Sequence, residues 1–165
     1  MTDTAILEKT TIHPSAIIDE SAEIGEGTYI GPNVVIGKNV KIGNGTRIIA
    51  NAYIEYSEIG ENCTISPFAT IGSEPQDLGY KGEKTKVVIG DDVIIKENAT
   101  IHRAAACGDF TTRIGNKCLL MVGSHIAHNC VLADQVILAN LVTLLRIIST
   151  ERPDCASLSI SRLKR

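Results

Sequence analysis

Residues 24–48 read IGEGTYIGPNVVIGKNVKIGNGTRI, and within them isoleucine returns at every sixth position, at Ile24, Ile30, Ile36, Ile42 and Ile48. The period extends outward in both directions. It takes in Ile12, Ile18 and Ile54, restarts after a five-residue step at Ile59, Ile65 and Ile71, and continues at Ile89, Ile95 and Ile101. A last run follows at Ile114, Leu120, Ile126, Leu132, Leu138 and Leu144. Residues two apart on a strand face the same way, so the position two before each aliphatic residue should also point inward, and should be small if the interior is narrow. Those positions hold Ala16, Ala22, Thr28, Val34, Val40, Thr46, Ala52, Ser57, Cys63, Ala69 and their later equivalents, with no charged residue among them.

Glycine follows many of the aliphatic positions, as at Gly25, Gly31, Gly43 and Gly60, which predicts a corner where unusual backbone angles are needed. Each hexad is then a short strand and a corner, three hexads close one triangular coil, and stacked coils bury an aliphatic column. The pattern predicts an all-β parallel β-helix of six to seven coils over residues 12–144. Residues 1–11 precede it as an N-terminal segment, and residues 145–165 form an irregular tail without hexads. Two polar interruptions, at 73–88 and 104–111, are expected to protrude as loops, where solenoids commonly carry their binding functions.

Composition narrows the function. The 165 residues carry a formal net charge of −3 with scattered basic residues, which argues against a nucleic-acid partner. No apolar run is long enough for a transmembrane segment, and nothing resembles a secretory leader, so a cytoplasmic protein is expected. Five cysteines in no paired or zinc-type spacing suit a reduced compartment. Cys63, Cys118 and Cys130 fall on the small inward position and read as core.

The register also brings distant histidines together. Ile101 and Ile126 occupy the same side of successive coils, so His102, His125 and His128 should neighbour one another near the bases of both loops. Such a cluster could supply a general base near neutral pH. Three imidazoles could equally form a zinc site of carbonic-anhydrase type, or simply stack on the surface of a non-catalytic β-helix. His13 reads as an inert surface residue. Gln76 and Asp77, in the loop run PQDLGYKGE, offer polar groups for a substrate.

Four segments carry a resemblance: IHPSAII, the loop IGSEPQDLGYKGEKTKVVIG, the run ENATIHRAA, and LLMVGSHIAHNCVLADQVILAN. From about Ile12 to Thr143 the chain resembles the hexapeptide-repeat acyltransferases that acylate UDP-N-acetylglucosamine in the first step of lipid A biosynthesis. The resemblance implies a left-handed helix and a homotrimer with active sites between subunits. It implies acyl carrier protein as donor of a 3-hydroxyacyl chain, UDP-N-acetylglucosamine as acceptor, and no metal or other cofactor. It makes His128 the catalytic base and assigns substrate contacts to His125, His102, Gln76 and Asp77.

The chain departs from that family at three places. Gly79 stands where the family has Lys. Arg146 and Ile147 stand where it has Gly and His, the Gly supplying the oxyanion donor. After Leu144 the family continues through further coils and a C-terminal helical domain, so a C-terminally truncated chain with impaired transfer is the expectation.

Overall fold

The computed structural model describes residues 9–106 and 108–145, together with the backbone of Ser159–Ile160. These residues form a left-handed parallel β-helix of three sheets, each of seven strands. Most strands are two residues long, because a hexad spends its remaining residues on the corner. Successive strands of the chain lie on successive faces, and each pairs in parallel with the strand one coil away.

The hexad positions align in three stacks. Ile12, Ile30, Ile48, Ile65, Ile95, Leu120 and Leu138 line the first face. Ile18, Ile36, Ile54, Ile71, Ile101, Ile126 and Leu144 line the second. Ile24, Ile42, Ile59, Ile89, Ile114 and Leu132 line the third. They pack with the small inward residues Val34, Val40, Ala52, Cys63, Ala69, Val93, Ala99, Cys118 and Cys130 into one core. Three buried hydroxyls at the equivalent small positions find corner carbonyls, Thr28 Oγ1 donating to Gly25 O at 2.8 Å, Thr46 to Gly60 at 2.9 Å and Ser57 to Glu55 at 2.7 Å, whereas the buried Ser124 Oγ has no partner among the described residues. A buried hydroxyl without such an acceptor would lose its hydration uncompensated.

The corner glycines act differently from the expectation. Gly31, Gly43 and Gly60 are not in the left-handed region; the left-handed residue falls two positions later, at Asn33, Gly45 and Asn62. What excludes a side chain at the glycine itself is the adjacent coil. A Cβ on Gly31 would lie 1.7 Å from Ile49 O.

The first loop leaves the helix through a bulge. Register shifts between Ile71 and Ser73, with Gly72 at φ +85° and room for no Cβ beside Glu55 O. The excursion is narrower than 73–88, because Ser73 still pairs with His102 and Lys86–Ile89 is a strand. The second excursion likewise ends before Thr111, which begins the strand Thr111–Ile114, and its base residues Ala104 and Ala105 are buried. Within the expected tail, Ser159–Ile160 adds a further strand to the third sheet, pairing with Val131–Leu132.

Candidate active site

Thr100 pairs with His125 and Ile101 with Ile126, so the strand ending in His102 lies directly against the one opening with His125. The two imidazoles meet edge to face, with ring centroids 5.2 Å apart. Each ring is also held from its Nδ1 side. His102 Nδ1 donates to the backbone carbonyl of Glu74, at the stem of the first loop, and His125 Nδ1 lies 2.7 Å from Thr100 Oγ1. Burial, and then the neighbouring His102, push the His125 pKa below the usual histidine value. A pair of adjacent imidazoles in a partly dry site resists a second proton, which keeps His125 neutral near pH 7.

His128 sits at the next corner and is 6% exposed. Its Nδ1 is 2.8 Å from Asn129 Oδ1. The Asn129 amide orientation is set from the other side: Oδ1 accepts the Ala105 N–H at 2.8 Å, and Nδ2 donates to Ala105 O at 3.3 Å. With Oδ1 thereby an acceptor, His128 Nδ1 must carry the hydrogen, and the neutral ring presents its lone pair at Nε2. Asn129 N–H itself donates to Thr112 Oγ1 at 2.8 Å, so the orienting residue is fixed by the strand Thr111–Ile114 and by the base of the second excursion. The second excursion thus positions His128, through Asn129, by the backbone of Ala105.

The first loop is anchored by Arg103, 5% exposed despite its charge. Its guanidinium donates to Glu55 Oε1 at 2.9 Å, Gly72 O at 2.7 Å, Glu74 Oε1 at 3.2 Å and Tyr80 Oη at 3.2 Å. It also stacks over the rings of Tyr56 and Tyr80 at 4.5 and 5.6 Å from their centroids. Within the loop, Asp77 holds a turn: Oδ1 accepts Gly79 N–H at 2.8 Å and its carbonyl accepts Tyr80 N–H at 3.0 Å. Gln76 is exposed, and Leu78 at the tip is wholly so.

The five residues singled out from sequence therefore divide. His102 and His125 touch, and His102 reaches the loop stem two residues before Gln76. His128 is held separately by Asn129, and Asp77 has a turn-forming role of its own within a single chain. Among the described residues no three His, Cys, Asp or Glu side chains group so as to hold a metal ion. Arg146 and Ile147 lie outside the described residues. Arg103 and Asn129 were not singled out from sequence, although both stand in the quoted motif runs: Arg103 follows TIH, and Asn129 follows HIAH.

The chain matches, over residues 6–108, the protein family described as the GMPPB C-terminal domain. It is 52% identical over 108 residues to an acyl-(acyl-carrier-protein)–UDP-N-acetylglucosamine O-acyltransferase of Thermodesulfovibrio yellowstonii, covering 65% of this chain and 42% of that one. It is 49% identical over 135 residues to the enzyme of the same name from Caulobacter vibrioides, covering 81% of this chain and 51% of that one. Among solved structures, a UDP-N-acetylglucosamine acyltransferase from Bacteroides fragilis superposes with a TM-score of 0.79 at 44% identity, over 81% of this chain and 52% of that one. The chain spans about half the length of the curated relatives it matches.

Proposed function

This chain belongs to the GMPPB C-terminal domain family and is a relative of the UDP-N-acetylglucosamine O-acyltransferases, and from that premise we propose that it transfers a 3-hydroxyacyl chain to UDP-N-acetylglucosamine. The donor in this reading is the thioester of acyl carrier protein, the acceptor is the sugar 3-hydroxyl, and the step opens lipid A biosynthesis. The observation that carries it is the fixed tautomer of His128, whose Nδ1–H is committed to Asn129. His128 Nε2 takes the hydroxyl proton as the sugar oxygen attacks the thioester carbon. The tetrahedral intermediate then collapses with cleavage of the C–S bond, and the proton held by His128 passes to the leaving carrier thiolate. Base catalysis by a positioned imidazole supplies a rate factor of about 10²–10⁴.

His125 and His102, edge to face, line the acceptor side, and Gln76 and Asp77 bind the nucleotide sugar. We infer a cytoplasmic homotrimer in which the loop of one subunit serves the base of the next. The full exposure of Leu78 in the single chain supports a loop made to meet a neighbouring surface. Among the described residues no helix is long and apolar enough to cross a membrane.

The test is an acyl-transfer assay with the purified chain, UDP-N-acetylglucosamine and 3-hydroxyacyl carrier protein. The expected result is acylated sugar nucleotide and free carrier thiol, with His128→Ala lowering kcat by about 10²-fold or more at unchanged thermal midpoint. Absence of product from the unmodified chain overturns the reading.

A further inference from the structure

The dipeptide His102–Arg103 grips one loop residue in two ways. The His102 ring donates to the carbonyl of Glu74 while the Arg103 guanidinium donates to its carboxylate. Arg103 reaches past that residue in both directions along the loop: back to the carbonyl of Gly72 in the bulge, and forward to the hydroxyl of Tyr80. Tyr80 Oη in turn donates to Glu83 O at 2.8 Å. The chain from Gly72 to Glu83 is therefore fastened, directly or through one phenol, to a single buried cation.

That cation is tied to the body of the helix by Glu55, whose side chain is 19% exposed. Glu74, the second carboxylate, is 70% exposed and holds its ion pair in solvent, where such a pair is weak. Glu55 thus carries the charge compensation, and the loop receives mainly directed hydrogen bonds. A planar guanidinium suits this arrangement because it can send donors to several acceptors while lying near the rings of Tyr56 and Tyr80. A lysine ammonium in the same place keeps the charge but loses the fork and the stacking.

We propose that Arg103 is a positioning residue: it sets the height and angle of the loop that bears Gln76 and Asp77, and through Glu74 couples that setting to the His102–His125 pair. The inference rests on the acyltransferase reading only for its kinetic consequence; the clamp itself stands on the geometry. Loss of Arg103 frees the loop, raises KM for the nucleotide sugar, and leaves KM for the acyl carrier protein unchanged.

The experiment uses the full chain and its Arg103→Lys and Arg103→Met variants. Limited trypsin digestion reads the loop, which carries the exposed Lys81 and Lys84. Cleavage after these residues tracks local opening, and is expected to rise about tenfold in Arg103→Met and by less in Arg103→Lys, with cooperative melting retained. Steady-state kinetics should show KM for UDP-N-acetylglucosamine rising about tenfold in Arg103→Met, partly restored in Arg103→Lys, with KM for the carrier unchanged. If Arg103→Met does not fold, Tyr80→Phe decides: it keeps the ring and removes both bonds of the hydroxyl, the one from Arg103 and the one to Glu83, and is expected to raise loop cleavage about threefold. Unchanged loop cleavage in the folded variants overturns the clamp. An unmodified chain without transferase activity whose loop still loosens in these variants overturns the functional reading and leaves the clamp standing.

Discussion

His125 is held neutral first by burial and then by the charge that would develop beside His102, and the sign of this effect can be followed with pH. In the unfolded chain the imidazole binds a proton near a pH of about 6.5; in the folded chain it does so only at lower pH. Below about pH 6.5 the unfolded state therefore holds more protons, and stability falls as the pH drops toward the folded value; above it the residue contributes no pH dependence. The thermal midpoint should fall more steeply between about pH 7 and pH 5 in the unmodified protein than in His125→Gln, and equal slopes would sink the assignment. The cysteines behave in the opposite sense: burial pushes the Cys63 thiol up to about 11, in keeping with a core residue and not a nucleophile. The histidine pair was legible from sequence because counting hexads fixes which residues stack. Asn129 was not, since Asn also occupies the left-handed corner position at Asn33, Asn39, Asn62 and Asn98, where backbone preference alone accounts for it. Arg103 was hidden for another reason. Its acceptor Glu55 lies 48 residues away, and its other acceptors sit in or at the stem of a loop to which the period gives no register.

At the scale of the strand and corner, two demands that seemed to be one turn out to be separate. At most corners the residue after the aliphatic position must let the next coil approach, and the residue two further on adopts positive φ. The first demand varies in strength along the helix. At Gly31 an added Cβ would strike the backbone oxygen of Ile49 at 1.7 Å, whereas at Gly37 the nearest atom would be the Glu55 Cβ at 3.1 Å. Backbone cannot yield as a side chain can, so Gly31→Ala should cost about 2–3 kcal/mol and Gly37→Ala less than about 1 kcal/mol. Denaturant midpoints of the two variants measure this; similar losses would mean that the approach of the adjacent coil does not set the cost. The glycine spacing in the sequence pointed correctly to the corners, but it could not separate these causes, because close approach is a property of two coils and the sequence pattern describes one.

Across the described residues, stability comes from three aliphatic stacks with no aromatic residue among the buried core positions, so it is spread along the axis instead of concentrated at one centre. Apart from the Arg103–Glu55 ion pair, which reaches past one coil to the next, each coil packs on the coils before and after it, which makes the energetics close to a sum of nearest-neighbour terms. A residue in the middle of a stack then supports two interfaces, while one at the end supports one. Ile65 is fully buried and pairs with Ile48 on one side and Ile95 on the other; Ile12, the first of the described residues in the same stack, is 46% exposed and among the described residues pairs only with Ile30. Ile65→Ala should therefore cost about 3–4 kcal/mol, and Ile12→Ala about 1 kcal/mol or less. The column also predicts how the loss is expressed. A cavity at Ile65 weakens one of the three stacked pairings between the coils before the first loop and those after it, beside Ile59–Ile89 and Ile71–Ile101, so the coupling of the two halves should fall and the apparent denaturant slope should drop. Ile12→Ala, which severs nothing, should shift the midpoint slightly and leave the slope as it was. A shifted midpoint with an unchanged slope in Ile65→Ala would instead show that cooperativity extends across the whole helix, beyond what neighbouring coils can transmit by contact alone.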